Sequence, residues 1–143
     1  MASKMVNRIL YVEDNADDVL LTELACRKAG AAVELNIVSD GDKAIQALLS
    51  VESPLPDCVL LDIKLPSRSG LEVLAWIRAQ PQFKRMPVVM LTSSLLPDDV
   101  NQAYDLGANS FWAKPSDLGA LIALVRTIEH YWLQTNVRAV PPA

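Results

Sequence analysis

Short apolar runs alternate with longer segments of helical period along most of the chain. "RILYV" (8–12) is the first run and predicts a strand. "NADDVLLTELACRKAG" (15–30) follows as a helix, with Asn15 as N-cap, Asp17 and Asp18 at its positive end and Gly30 as its stop. "VELNIV" (33–38) alternates apolar and polar positions, as expected of a strand near a sheet edge. Asp40 and Gly41 turn the chain into a short helix, "DKAIQALLS". "CVLLD" (58–62) and "PVVMLT" (87–92) are continuous apolar runs and predict buried strands. Between them "GLEVLAWIRAQ" (70–80) has helical period and is closed by Pro81. "PDDVNQAYDLGA" (97–108) is a helix opened by Pro97 and stopped by Gly107. "SFWAK" (110–114) is a fifth strand, and "SDLGALIALVRTIEHYWLQT" (116–135) a last long helix.

Five strands alternating with five helices predict an α/β fold with a parallel sheet covered on both faces. Right-handed crossovers then favour a doubly wound, flavodoxin-like strand order, 2-1-3-4-5. One domain over 7–135 is expected, with loose termini at 1–6 and 136–143 and no output domain. The chain has 143 residues, 51% hydrophobic and 21% charged, enough for one packed core.

The net charge of −4 argues against a nucleic-acid or anionic-membrane partner, which would call for a basic face. "MASKMVNR" has no apolar signal region, and no apolar run is long enough to span a bilayer, so a cytoplasmic protein is expected. Cys26, Cys58 and the single histidine, His130, form no zinc or disulfide pattern. Both cysteines read as small buried hydrophobes.

In a sheet of this type, ligands bind beyond the carboxyl ends of the strands. Glu13 and Asp14 end the first strand, Asp62 the third, Thr92 and Ser93 the fourth, and Lys114 the fifth, followed by Pro115. A single acid after a strand is usually a helix cap or turn former. Three acids from separate strand ends, with hydroxyls and an ammonium, are a different matter. Their mutual repulsion calls for a cation or protons. An all-oxygen donor set points to a hard cation, Mg²⁺ above all, with Mn²⁺ as substitute.

"YVEDNADD", "LLDIKLPSRSG", "VVMLTSS" and "FWAKP" together resemble the receiver domain of bacterial two-component response regulators. The segments "VEDNADDVLL", "FKRMPVVMLTSS", "DDV" and "IEHYWLQT" resemble, more narrowly, the stand-alone regulators that serve phytochrome-type light-sensing histidine kinases. The resemblance implies that Asp62 takes a phosphoryl group from a kinase phosphohistidine. It implies Mg²⁺ held by Glu13, Asp14, Asp62 and the backbone carbonyl of Lys64, one of the acids acting through water. Thr92 would donate to a phosphoryl oxygen and Lys114 would pair with another, approaching over a cis bond to Pro115. Thr92 and Phe111 would form the conformational switch. Phe111 has no hydroxyl, so it forgoes the hydrogen bond a tyrosine makes there, and an ordinary core role stays open for it. Lys64 and Ser94 would tune hydrolysis of the phosphoryl group.

On the last helix, Leu118, Leu121, Val125, Ile128 and Trp132 read as core. Leu124 and Tyr131 lie on another face and, with the patch near Trp132, are candidate contacts of a homodimer. Similar regulators dimerise through the fourth helix, fifth strand and fifth helix. Such a protein signals by changing shape and promotes only its own phosphorylation and dephosphorylation. A non-phosphorylated interaction module of receiver shape is the alternative. A haloacid-dehalogenase-type phosphohydrolase needs a second acid two residues after the nucleophile, where this chain has Lys64. A flavodoxin-type FMN binder needs a phosphate loop after "RILYV" that is not there.

Overall fold

The computed structural model describes residues 7–137 and 139. The expectation of loose ends falls largely on residues 1–6, 138 and 140–143, which lie outside the described residues. The elements run β1 (Asn7–Val12), α1 (Ala16–Ala29), β2 (Val33–Val38), α2 (Gly41–Leu49), β3 (Cys58–Leu61), α3 (Gly70–Ala79), β4 (Val88–Thr92), α4 (Pro97–Asp105), β5 (Ser110–Ala113) and α5 (Leu118–Ile128). A π-helical segment, Glu129–Thr135, continues α5. The strands form one parallel sheet in the order β2-β1-β3-β4-β5. β2 is an edge strand, as its alternating pattern predicts.

Successive strand side chains point to opposite faces, and the core divides accordingly. Leu10, Val12, Val59, Leu61, Val88 and Met90 pack with Val73, Leu74 and Ile77 of α3, Ala44 and Leu48 of α2 and Ala103 of α4. Ile9, Tyr11, Leu60, Val89 and Leu91 face the other way, toward Ala25 of α1 and Leu121, Leu124, Val125 and Ile128 of α5. Cys58 is buried in this second cluster and Cys26 packs at its margin; neither is in a disulfide. Burial pushes the Cys26 thiol up to about 11.

The helix ends follow the local chemistry. Asn15 Oδ1 accepts from the N–H groups of Asp17 and Asp18 at 2.9 and 3.2 Å. Gly30 takes the left-handed conformation at φ 65° and closes α1. Asp40, Ser69 and Asp117 cap α2, α3 and α5 in the same way as Asn15.

The last helix departs from expectation twice. It is not one α-helix over 116–135, because its final turns are wider. A wider turn brings i+4 and i+5 together, so Trp132 and Leu133 both reach the core below Ile128. Leu124 is buried beside Leu121, Val125 and Ile128, not on a separate face. A helix lying on a sheet buries a stripe wider than a heptad seam. Leu124 and Trp132 are therefore core residues rather than dimer contacts. Tyr131 remains exposed, at 48%, and stacks edge-on against Trp132.

Arg78, at the end of α3, ties three segments together. Its guanidinium donates to the carbonyls of Phe83, Lys84, Met86 and Gly107 and to Asn109 Oδ1 at 2.8–3.3 Å. Asn109 Oδ1 also accepts from Val88 N, and Asn109 N donates to Val88 O. The starts of β4 and β5 are thus fixed to α3 through one side chain. Gly107, at φ 104°, leaves room for it: a Cβ there would lie 2.9 Å from Arg78 Nε.

Candidate functional site

Parallel strands deliver their carboxyl ends to one edge of the sheet, and the predicted residues meet there. Backbone bonds set each approach. Glu13 N donates to Val38 O (3.0 Å), Asp62 N to Val12 O (3.2 Å) and Lys114 N to Thr92 O (3.0 Å). The carboxyl ends of β2, β1 and β3 are thereby linked to one another, and those of β4 and β5 likewise.

Lys114 is the hub. Its Nζ lies 2.5 Å from Glu13 Oε1, 2.8 Å from Asp62 Oδ2 and 2.9 Å from Asp18 Oδ2. Glu13 and Asp62 are almost fully buried. Asp62 Oδ1 accepts from Ile63 N at 2.7 Å, and Glu13 Oε2 from Asn15 N at 3.2 Å. Oxygens of Glu13, Asp14 and Asp62 lie within 4.8 Å of one another. Asp14 is the exposed member, open to solvent above the other two.

The electrostatics are those of one cation shared among several acids. Burial pulls the Lys114 ammonium down, but hydrogen bonds to Asp62, Glu13 and Asp18 outweigh it and hold the group well above the usual lysine range. Burial pushes the Glu13 carboxyl above its ordinary value, the Lys114 bond opposes this, and the Asp62 charge adds to it. The phenol of Tyr11, beneath Glu13, is raised by burial as well. Three clustered carboxylate oxygens matched by a single ammonium suit a divalent cation. The donor set is all oxygen, which fits Mg²⁺ or Mn²⁺.

Asp62 sits on an aspartate-to-glycine loop with little freedom. Gly70 N donates to Ile63 O at 2.7 Å, closing the loop on itself. Lys64, on this loop, has an exposed side chain. Thr92 is buried, and its Oγ1 accepts from Ser94 N at 3.3 Å. Ser94 Oγ in turn donates to Asp99 Oδ2 at 2.6 Å, joining the end of β4 to the first turn of α4. Phe111 is half-buried against the first core cluster, and Trp112 packs against the second. An open groove of about 490 Å³ lined by Glu13, Asp14, Val19, Leu20, Ile37 and Lys43, among others, leads up to the acids.

Two outcomes differ from the sequence reading. The Lys114–Pro115 bond is trans, since the described residues contain no cis peptide. Trans is the lower-energy isomer of an X–Pro bond, and Lys114 reaches its three carboxylates with it. Asp18 reads from sequence as a residue at the positive end of a helix, yet it is a direct partner of Lys114. The signal available was its place in the first turn of α1, directly after the acids that end β1.

Residues 9–126 match the model of the response regulator receiver domain. The chain is 40% identical over 131 residues to response regulator Rcp1 of a Synechocystis species, covering 89% of each. The crystal structure of the phosphorylated cyanobacterial phytochrome response regulator RcpA superposes with a TM-score of 0.87 at 36% identity, covering 94% of this chain and 99% of that one. The Mn²⁺-bound form of Rcp1 superposes at 0.83 with 38% identity and the same coverage.

Proposed function

We propose that this chain, which belongs to the response regulator receiver domain family, receives a phosphoryl group on Asp62 from a phosphohistidine of a sensor histidine kinase. The observation that carries this reading is the state of the Asp62 carboxylate. One oxygen is fixed by Ile63 N–H and the other by Lys114, at the buried centre of an acid cluster. In the transfer, an Asp62 oxygen forms a bond to phosphorus as the bond from phosphorus to the kinase histidine breaks. Phosphoryl transfer demands positioning and charge neutralisation above all. Lys114 supplies one positive charge, and Thr92 a hydroxyl at the adjacent strand end.

Glu13, Asp14, Asp62 and the Lys64 carbonyl are the groups that would hold Mg²⁺, with Mn²⁺ as substitute. The bound ion neutralises charge on the phosphoryl oxygens. The Mn²⁺-bound Rcp1 structure supports that assignment. Thr92 and Phe111 are the switch pair: Thr92 moves toward the phosphoryl group and the half-buried Phe111 follows inward. The fourth helix, fifth strand and fifth helix form the output surface. The likeness to RcpA, a phytochrome response regulator, supports a phytochrome-type kinase as donor. Among the described residues no helix is long and apolar enough to cross a membrane, in keeping with action in the bacterial cytoplasm.

The test is intact mass after incubation with acetyl phosphate. One added phosphoryl group, dependent on Mg²⁺ and absent from Asp62→Asn, is the expected result. No adduct on the wild type, and no capture of a beryllofluoride mimic, would leave an interaction module in a receiver's shape.

Two finer points follow. Lys64 is exposed and stands two residues from Asp62, where it shields the phosphoryl group from water. Lys64→Ala is expected to shorten the phosphorylated lifetime several-fold, read by the decay of the mass adduct; an unchanged lifetime would remove that role. The exposed Tyr131 and Tyr104, with Leu95 and Leu96 before α4, are apolar groups available to a homodimer on the side of the fourth and fifth helices. Sedimentation is expected to show dimer at high micromolar concentration, and monomer alone, with and without beryllofluoride, would count against it.

A further inference from the structure

We propose that the first turn of α2 is a positioning element for the loop after Asp62, acting through Ser67 and Arg68. The proposal rests on the metal and phosphoryl roles given above and goes beyond them by naming what holds that loop in place. Ser67 has φ 64°, in the left-handed region that non-glycine residues seldom adopt. Such a conformation persists where its surroundings hold it. Here the surroundings come from α2. Ser67 Oγ accepts from Asp42 N at 3.1 Å and donates to Asp40 Oδ1 at 3.3 Å. Arg68 Nε donates to Asp42 Oδ1 at 2.7 Å, and Gly41 N to Pro66 O at 3.2 Å. Gly41 allows this approach because it has no side chain: a Cβ there would stand 2.4 Å from Arg68 O.

The contacts are poorly placed to stabilise the whole fold. Arg68 and Asp42 are 47% and 51% exposed, and exposed ion pairs contribute little. They are well placed to fix the loop. Lys64 lies between Asp62 and Pro66. The Pro66 carbonyl is tied to α2, and Gly70 N–H is tied to Ile63 O at 2.7 Å. The Lys64 peptide, whose carbonyl is the proposed metal ligand, is therefore held from both sides. Asp40 itself follows β2, whose Val38 carbonyl accepts from Glu13 N. One short turn thus connects both metal-bearing loops.

The experiment compares wild type, the double variant Ser67→Gly/Asp42→Ala, and Gly41→Ala. Glycine at 67 keeps the left-handed backbone and removes the hydroxyl, while alanine at 41 pushes the loop away directly. Free Mn²⁺ is counted by electron paramagnetic resonance over unphosphorylated protein. Amide exchange is followed at residues 64–69, and urea midpoints report global stability. The double variant is expected to keep a near-wild-type midpoint, to exchange faster at 64–69, and to bind Mn²⁺ about tenfold more weakly, as loss of a supporting shell does. Wild-type Mn²⁺ affinity in both variants would overturn the proposal while leaving the metal site intact. No Mn²⁺ binding by the wild type would overturn the metal reading itself, and the positioning role with it.

Discussion

Gly70→Ala is expected to cost about 4 kcal/mol or more, at the far end of single-substitution effects. Gly70 opens α3, where alanine is ordinarily the better helix former, so the loss would be wholly steric. A Cβ at this position would lie 1.8 Å from the Asp62 carbonyl oxygen, 2.7 Å from its carbon and 2.9 Å from Ile63 Cα. All three are backbone atoms that cannot swing aside, and they belong to the proposed phosphoacceptor, Asp62, and its neighbour. Urea midpoints should show the loss, and any folded fraction should take up phosphoryl groups from acetyl phosphate poorly, because its loop has moved. Gly119→Ala is the control. There the nearest atom is Asp117 Oδ1 at 3.4 Å, ordinary contact, and stability should hold or rise slightly. A mild effect at Gly70 would mean that α3 can withdraw from the loop and that the site is less tightly built.

Lys114→Met is expected to abolish phosphorylation and to lower stability by about 3 kcal/mol at pH 8, the scale for removing one partner of a buried ion pair. The loss should shrink with acid. Lys114 has a folded pKa above its unfolded one, so its contribution is complete below the ordinary lysine pKa and is lost only in strong base. Across pH 5–8 the lysine's own titration adds no slope. Glu13 also has a raised folded pKa, and for an acid this means stability is lost as pH climbs above the ordinary carboxyl value. Without Lys114, the bond that restrains Glu13 disappears and its carboxyl rises further. The variant should therefore regain stability between pH 8 and pH 5 more steeply than wild type, as read from urea midpoints across that range. A deficit independent of pH would mean that Lys114 contributes by packing alone.

Much of this was legible from hydrophobic pattern. The continuous runs at 58–62 and 87–92 became central strands, and the alternating run at 33–38 became an edge. Once the strand ends were assigned, a parallel sheet obliged Glu13, Asp62, Thr92 and Lys114 to meet. What pattern could not supply was choice between near-equal alternatives. Asp18 is a suitable first-turn acid wherever it points, and only the position of Lys114 selects it. Leu124 goes in because a helix lying on a sheet buries a wide stripe, and beyond Ile128 the widened turns bring in Trp132 and Leu133 while Tyr131 stays out. The Lys114–Pro115 bond is trans, and the local sequence does not encode its isomer. Ser67 sits in a polar loop, and its left-handed backbone is selected by α2, far away in sequence.

Arg78 gives the molecule an unequal response to its solution. Its bonds run to neutral carbonyls and one side-chain amide, so they are insensitive to protonation of acids and weakly sensitive to salt. The opposite edge of the sheet is held by shared charge. Acid, ionic strength or a divalent cation therefore act on the carboxyl-end edge while the amino-terminal ends of β4 and β5 stay anchored. The sheet is thus clamped by neutral hydrogen bonds at one end and balanced by shared charge at the other, so a change of charge is felt first at the carboxyl-end edge.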